Sequence, residues 1–244
     1  MPNLLILGAS SDIASACAQQ FASAGFNVFL AGRNIDGLQT LSADITIRHS
    51  VQSGVLFFDA LDYPSHQPFV QSLSFVPDVV LIAFGYLGNQ ELAQNSWAEA
   101  NLIIGSNYTG AVSITNAIAS LLETKQKGVI VGISSIAGVR GKKNNYIYGS
   151  AKAGYTAYLS GLRNRLFSKH VHIISVLPGY VETKMTSGMK LPAPLTAQPG
   201  AVAADIYKAV IKRKNIIYTK PLWRYIMLII KNIPENIYKK LTIG

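Results

Sequence analysis

The chain has a single cysteine, Cys17, among 244 residues, so it can close no internal disulfide and a reducing compartment suits it. Acidic residues are scarce as well: 12 Asp and Glu stand against 22 Lys and Arg, for a net charge of +10. The imbalance is local, because eight Lys or Arg and only one acid, Glu235, fall between residues 212 and 244. No apolar run approaches the ~20 residues needed to span a bilayer. The N-terminus runs straight into an apolar stretch with no basic segment and no cleavage site, so no secretory leader is expected and the compartment is read as cytoplasmic. Gly and Pro, at 20 and 10, are too few for a fibrous or disordered chain. No grouping of residues suggests a metal site, and none is expected. What remains is a chain that is 49% hydrophobic and long enough to bury one large core.

Short apolar runs punctuate that core at 4–7, 28–31, 55–58, 79–83, 129–133 and 172–176, with helical stretches between them. They do not alternate with polar residues, as strands of a parallel sheet covered on both faces need not. Strands alternating with helices predict an α/β protein: one domain, a doubly wound parallel sheet in three layers. The stretch 190–200, with Pro192, Pro194 and Pro199, reads as a mobile loop rather than a linker. The expected division is a domain over 1–220, with a lid at about 184–200, and a basic apolar extension over 221–244.

After the first strand comes Gly8-Ala9-Ser10-Ser11-Asp12-Ile13-Ala14, opening a helix predicted over 12–24. Gly8 allows a tight turn, and the helix N-terminus offers N–H groups and a positive dipole end to a pyrophosphate. Gly8, Ser10, Ser11, Asp12 and Ile13 are therefore candidate dinucleotide contacts. An anion at Asp12 must point away from the phosphates, and a helix cap is the expected use for it. The second strand ends at Gly32-Arg33 where NAD-preferring folds commonly place an acid; a guanidinium there suits the 2′-phosphate of NADP, or it stacks on the adenine. NADP is thus the preferred cofactor, with NAD the alternative. Asp59, past the third strand, either meets the adenine edge or caps its own turn.

Tyr148-Gly149-Ser150-Ala151-Lys152 sets a phenol and an ammonium one helical turn apart. A phenol titrates near 10 in water, and a neighbouring cation is expected to bring it toward neutral pH as a proton donor and acceptor. Ser135 follows an apolar strand at Gly132-Ile133-Ser134-Ser135, where a hydroxyl could polarise a carbonyl. Asn107, in Asn107-Tyr108-Thr109-Gly110, is either a core amide or the holder of a water in a proton path.

The turn at Gly8, then Asn107, Ser135, Tyr148, Lys152 and Pro178-Gly179 followed by Thr183, resembles in order and spacing the short-chain dehydrogenase/reductase family, over roughly residues 3–183. The resemblance implies a Rossmann fold and hydride transfer between NAD(P)(H) and an alcohol or carbonyl. It also implies roles. Tyr148 is the acid in reduction and the base in oxidation, Lys152 bonds the nicotinamide ribose, Ser135 orients the carbonyl and Asn107 completes a water relay. Pro178, Gly179 and Thr183 surround the nicotinamide, and homo-oligomers are expected. The family's Asn-Asn-Ala-Gly after the fourth strand appears as Ile82-Ala83-Phe84-Gly85, which keeps Gly85 and loses the asparagine that steadies the strand. The segment from Val139 to Gly154 and the tail around Trp223-Arg224-Tyr225-Ile226-Met227 are similar to a subgroup of reductase subunits acting on polyprenyl-phosphoryl 2-keto-pentoses. A keto-sugar substrate, phosphorylated or lipid-linked, follows from that similarity.

Arg140, Lys142 and Lys143 lie between the serine and the tyrosine, so they are expected either at the mouth of the site, drawing a phosphorylated substrate, or on a solvated loop. In the tail, Leu222, Ile226, Ile229 and Ile233 fall at helical spacing with Arg224 and Lys231 on another face. Such a segment either lies in a membrane interface, which would put the protein at the inner face of the membrane, or packs on protein. Its cations are interrupted by aliphatic runs, which argues against nucleic acid. Three functions stay open at this point: a reductase acting alone, a non-catalytic dinucleotide sensor, and one subunit of a two-component epimerase.

Overall fold

The computed structural model describes residues 1–241. In chain order the elements are β1 (Asn3–Leu7), α1 (Asp12–Ala22), β2 (Asn27–Gly32), α2 (Ile35–His49), β3 (Ser53–Phe57), α3 (His66–Gln71), β4 (Val79–Ile82), α4 (Gln90–Ala93) and α5 (Trp97–Ile104). They continue with α6 (Gly110–Lys125), β5 (Gly128–Ile133), α7 (Tyr146–Leu166), β6 (Val171–Pro178), β7 (Tyr180–Val181), β8 (Thr196–Ala197), α8 (Pro199–Ile211), β9 (Ile216–Thr219), α9 (Leu222–Asn232) and α10 (Glu235–Tyr238). Seven strands form one sheet in the order β3-β2-β1-β4-β5-β6-β9, every pair parallel. This is the expected three-layer α/β architecture of one domain. All six apolar runs are strands; the seventh, β9, was not read, because Ile216–Thr219 is a short half-exposed edge strand at the far end of the basic stretch.

The unbroken apolar strands serve two cores at once. Leu4 and Ile6 of β1 pack with α1 and α8 on one face, while Leu5 and Leu7 pack with α6 and α7 on the other. Alternate side chains of a strand point to opposite faces, so a sheet covered on both sides needs apolar residues at every position. Helix α1 is capped by Ser11, whose hydroxyl accepts the Ala14 N–H at 3.2 Å. The cap is therefore Ser11 and not Asp12, because a cap must precede the first helical residue. Cys17 is buried on α1, which pushes its thiol up to about 12 and leaves it inert.

The tail packs on its own domain. Trp223, Met227 and Ile230 of α9 are buried (4%, 1% and 9% exposed) in a small core with Ile136 and Leu177. The expected stripe of Leu222, Ile226, Ile229 and Ile233 is not the buried one: Leu222 and Ile229 are 53% and 68% exposed. A helix apolar nearly all round offers several candidate faces, and the large Trp223 ring decides which is buried. Residues 242–244 of the expected extension lie outside the described residues. Among the described residues no helix is long and apolar enough to cross a membrane.

Candidate active site

The chain leaves β1 outward to β3 and returns to β4 on the other side of β1, so the C-terminal edge between β1 and β4 is the point where the winding reverses. A cavity of about 560 Å³ opens there. It is lined by the turn after β1 (Ser10, Ser11, Asp12, Ile13), the loop after β4, the end of β5 with Ser135, the start of α7 with Tyr148 and Lys152, and the segment from Pro178 through Thr183 to Leu191.

At the β1 turn, Gly8 has φ +83°, a left-handed conformation that favours glycine. A Cβ there would lie 2.6 Å from the Phe84 backbone nitrogen, so the turn can pass beneath the β4 loop only without a side chain. The Ser11 hydroxyl reaches the Ala83 carbonyl at 3.4 Å, and Asp12 Oδ2 accepts the Lys184 N–H at 2.7 Å. Asp12 thus turns away from the helix N-terminus, as an anion must, and ties the segment after β6 to α1. These features fit a dinucleotide phosphate: a glycine-dependent turn, a helix start beside it, and the one acid directed elsewhere.

The β4 loop, which lacks the family's asparagine, is held by other means. Phe84 packs on Phe58 with ring centroids 5.6 Å apart. Asn107 is fully buried in a widened turn between α5 and α6, where its Nδ2 donates to the Tyr86 and Ile103 carbonyls at 2.6 and 2.8 Å and its Oδ1 accepts the Tyr86 N–H. Its side chain is wholly engaged in bracing the backbone, the core-amide alternative of the sequence reading. It still sits next to the site, for a Cβ on Gly85 would meet both Asn107 Oδ1 (2.8 Å) and Lys152 Nζ (3.3 Å).

Ser135 leaves β5 in extended conformation, its Oγ accepts the Ala137 N–H at 3.1 Å, and its hydroxyl stands beside the Tyr148 phenol in the cavity wall. Behind it Ser134 Oγ bonds the Lys152 carbonyl and Thr156, pinning α7 to β5. Lys152 is 4% exposed, its Nζ donates to the Ile133 carbonyl at 3.0 Å, and it lies 5.8 Å from the Tyr148 ring centre. Burial draws the Lys152 ammonium down to about 8. Burial likewise pushes the Tyr148 phenol up to about 12, with the Ser135 hydrogen bond pulling the other way. This reverses the direction expected from the tyrosine–lysine spacing. The ammonium is held by a carbonyl off the ring, and desolvation of a phenolate outweighs its pull. At neutral pH, Tyr148 is a protonated phenol: an acid beside an oriented hydroxyl.

Of the remaining predicted residues, Arg33, Asp59, Arg140 and Lys143 lie outside the lining. Arg33 is exposed just past β2, and among the described residues no acid pairs with it. Asp59 Oδ1 accepts the Leu61 N–H at 3.0 Å, closing its own turn, while its carbonyl meets the buried His66 ring. Of the three loop cations only Lys142 lines the cavity, half-buried, with its pKa lowered by that burial. Lys143 is exposed, and Arg140 turns away. Arg140 donates to the carbonyls of Ile230, Lys231 and Ile233, pairs with Glu235 at 2.6 Å and covers the Tyr238 ring at 4.0 Å. The free carbonyls ending α9 are a better partner for a half-buried guanidinium than solvent, and no local pattern marks a contact across ninety residues.

Sequence reasoning missed Gln90, Asn145, Tyr180, Met185 and Met189, all of which line the cavity. Only Asn145 carried a signal, its position three residues before the tyrosine. Among the described residues no group of three His, Cys, Asp or Glu comes together that could hold a metal ion.

A parallel sheet reversing beside a glycine turn, with a hydroxyl, a phenol and an ammonium at its C-terminal edge, defines a dinucleotide-binding α/β oxidoreductase. Residues 2–192 match the family described as short chain dehydrogenase, and the chain belongs to that family of NAD(P)-dependent enzymes. It is 33% identical over 241 residues to an uncharacterized oxidoreductase of Mycobacterium tuberculosis, covering 98% of this chain and 96% of that one. It is 28% identical over 236 residues to an NADP-dependent 3-hydroxy acid dehydrogenase of Schizosaccharomyces pombe, covering 90% of each. The fold is similar to that of a short-chain dehydrogenase from Sphingobium yanoikuyae solved with NADPH, with a TM-score of 0.83, 20% identity and coverage of 96% and 97%. A non-catalytic sensor is not favoured.

Proposed function

We propose that the chain is an NADPH-dependent carbonyl reductase acting on a keto-sugar carried on a phosphorylated lipid. The observation that carries the reductase reading is the meeting of Ser135, Tyr148 and Lys152 in one cavity wall, which sets a carbonyl-polarising hydroxyl beside a phenol still protonated at neutral pH. When bound, the nicotinamide supplies the hydride. Tyr148 gives its proton to the carbonyl oxygen, and takes one in the reverse reaction. Ser135 orients that oxygen, and Lys152 holds the nicotinamide ribose. Gly8, Ser10, Ser11, Asp12 and Ile13 form the pyrophosphate turn, with Gly85 beneath it; Pro178, Gly179 and Thr183 border the nicotinamide and Asp59 the adenine. Asn107, its side chain committed to Tyr86, serves the proton path by holding the loop after β4.

NADPH is preferred because Arg33, unpaired by any acid among the described residues, follows the end of β2, where a ribose 2′-phosphate is expected; the similar Schizosaccharomyces pombe dehydrogenase is NADP-dependent and the Sphingobium yanoikuyae dehydrogenase was solved with NADPH. Arg33→Ala is expected to weaken NADPH roughly 10- to 100-fold and NADH hardly at all, since a charge-assisted hydrogen bond is worth about 1.5–3 kcal/mol. Titration of both cofactors by fluorescence checks this; equal losses reject the contact.

The substrate class rests on the half-buried Lys142 at a cavity whose wall also carries the apolar Leu87, Met185, Met189 and Leu191. It rests also on α9, which leaves Leu222, Tyr225, Leu228 and Ile229 exposed with Arg224 and Lys231 beside them, a face suited to an anionic lipid surface. The test compares NADPH oxidation with a free keto-pentose phosphate and with the same sugar on a polyprenyl phosphate in anionic vesicles. Faster turnover on vesicles, with co-sedimentation of the protein, is expected. Equal rates and no sedimentation would remove the lipid from the proposal and leave the reductase.

A further inference from the structure

Two buried polar atoms in the cavity wall have no partner: Gln90 Nε2 and Asn145 Oδ1. Both residues line the cavity together with Tyr148. The Gln90 amide has a defined orientation, because its Oε1 accepts the Ile147 N–H at 3.0 Å, so the opposite end is an NH2 donor. Asn145 stands at the N-cap position of α7, yet its side chain caps no helix N–H. Its Oδ1 is therefore an acceptor left over from the local structure. The two do not bond each other, and no described side chain satisfies either. Buried polar groups almost always find partners, so one free donor and one free acceptor within three residues of the acid in sequence or contact are exceptions that call for a ligand.

We infer that Gln90 and Asn145 read hydroxyl groups next to the substrate carbonyl, so that the substrate is a polyhydroxylated ketone rather than a simple one. A sugar hydroxyl is both donor and acceptor: one accepts the Gln90 N–H, and another donates to Asn145 Oδ1. An unhydroxylated ketone would leave both atoms buried and unpaired, and would be rejected on that ground. This rests on the reading of Tyr148 as the acid, and it deepens the keto-sugar proposal by assigning the hydroxyls that flank the carbonyl to two named residues. The pair are specificity-determining residues.

The test uses the full chain with NADPH and two ketones of equal length, a ketopentose and 2-pentanone. Gln90→Glu keeps the acceptor for the Ile147 N–H and removes the free donor; Asn145→Leu removes the acceptor, and Asn145→Asp restores it. The ratio of kcat/KM for ketopentose over 2-pentanone is expected to fall roughly 10- to 100-fold in Gln90→Glu and in Asn145→Leu, mainly through KM, and to recover in Asn145→Asp. If both ketones lose rate in parallel, or the ratio stays at the wild-type value, the inference is overturned. Binding of the pentitol to the NADP-loaded protein, measured by calorimetry, separates this claim from the reductase reading. Should neither ketone turn over, pentitol affinity lost in the two variants still upholds the hydroxyl contacts, and affinity unchanged in both rejects them.

Discussion

Tyr148→Phe is expected to lower the rate of NADPH-dependent carbonyl reduction by roughly 10²–10⁴-fold, the range that a positioned acid contributes, while NADPH still binds. The substitution removes one hydroxyl from a half-buried ring and keeps the shape that packs at the start of α7. It takes away the phenol that stands beside the Ser135 hydroxyl, so the carbonyl loses its proton source while Ser135 keeps the Ala137 N–H that holds it. Single-turnover kinetics with an independent NADPH titration separates chemistry from binding; full activity in the variant would end the assignment of Tyr148 as the acid. The pH profile extends the same argument. With Tyr148 pushed up to about 12, the phenol remains protonated across the working range and is not the group that titrates. Lys152, drawn down to about 8, is. The reductive rate should therefore hold near neutrality and fall as pH rises through about 8, where the ammonium loses its proton. A rate unchanged from pH 7 to pH 10 would refute that role for Lys152.

Trp223→Ala should destabilise the chain by about 3–5 kcal/mol, the range for truncating a large aromatic in a core. Trp223 belongs to α9, near the end of the chain, yet its ring is 4% exposed and its Nε1 donates to the Leu195 carbonyl at 3.0 Å. Its edge packs on Tyr180 with centroids 5.5 Å apart, and it closes on Gly179 so tightly that no Cβ fits there. One side chain thus ties the start of the segment that borders the cavity from Pro178 to Leu191 to Leu195, just beyond its end. The expected result is a melting temperature lower by about 10 °C, since 1 kcal/mol moves the midpoint of a chain this long by about 2–4 °C. A raised KM should accompany it, together with proteolytic cleavage within 184–200. Trp223→Phe, which keeps a ring but not the hydrogen bond, should fall between the two. An alanine variant that melts with the wild type would mean that α9 contributes nothing to the wall of the site.

The legible and illegible parts of this site differ in kind. Tyr148 and Lys152 are one helical turn apart, and Ser135 ends a strand, so their placement follows from local geometry that any helix or strand imposes. The strands were legible because a sheet buried on both faces allows no polar alternation, and Gly8 because a left-handed turn beneath a crossing backbone tolerates little else. Which of Ser11 and Asp12 caps α1 was less legible, because the cap lies one residue before the helix and the exact first helical residue has no mark in the sequence. The phenol's pKa could not be had from spacing at all. A neighbouring cation and burial act in opposite directions, and their balance depends on where the Lys152 ammonium is held.

By itself, then, the order of residues determined the winding of the sheet, the glycine turn after β1 and the juxtaposition of the Tyr148 phenol with Lys152, because each depends on contacts within a few residues or on a repeating pattern. Only the tertiary structure decided that Arg140 serves the end of α9 instead of the site mouth, that Trp223 rather than the Leu222 stripe is the buried face, and that Gln90 and Asn145 stand unpartnered beside Tyr148. Those outcomes join positions 28 to 93 residues apart or hinge on which of several apolar faces fills a given space. Such competition between equivalent local choices is settled by packing, and packing has no signature in a linear chain.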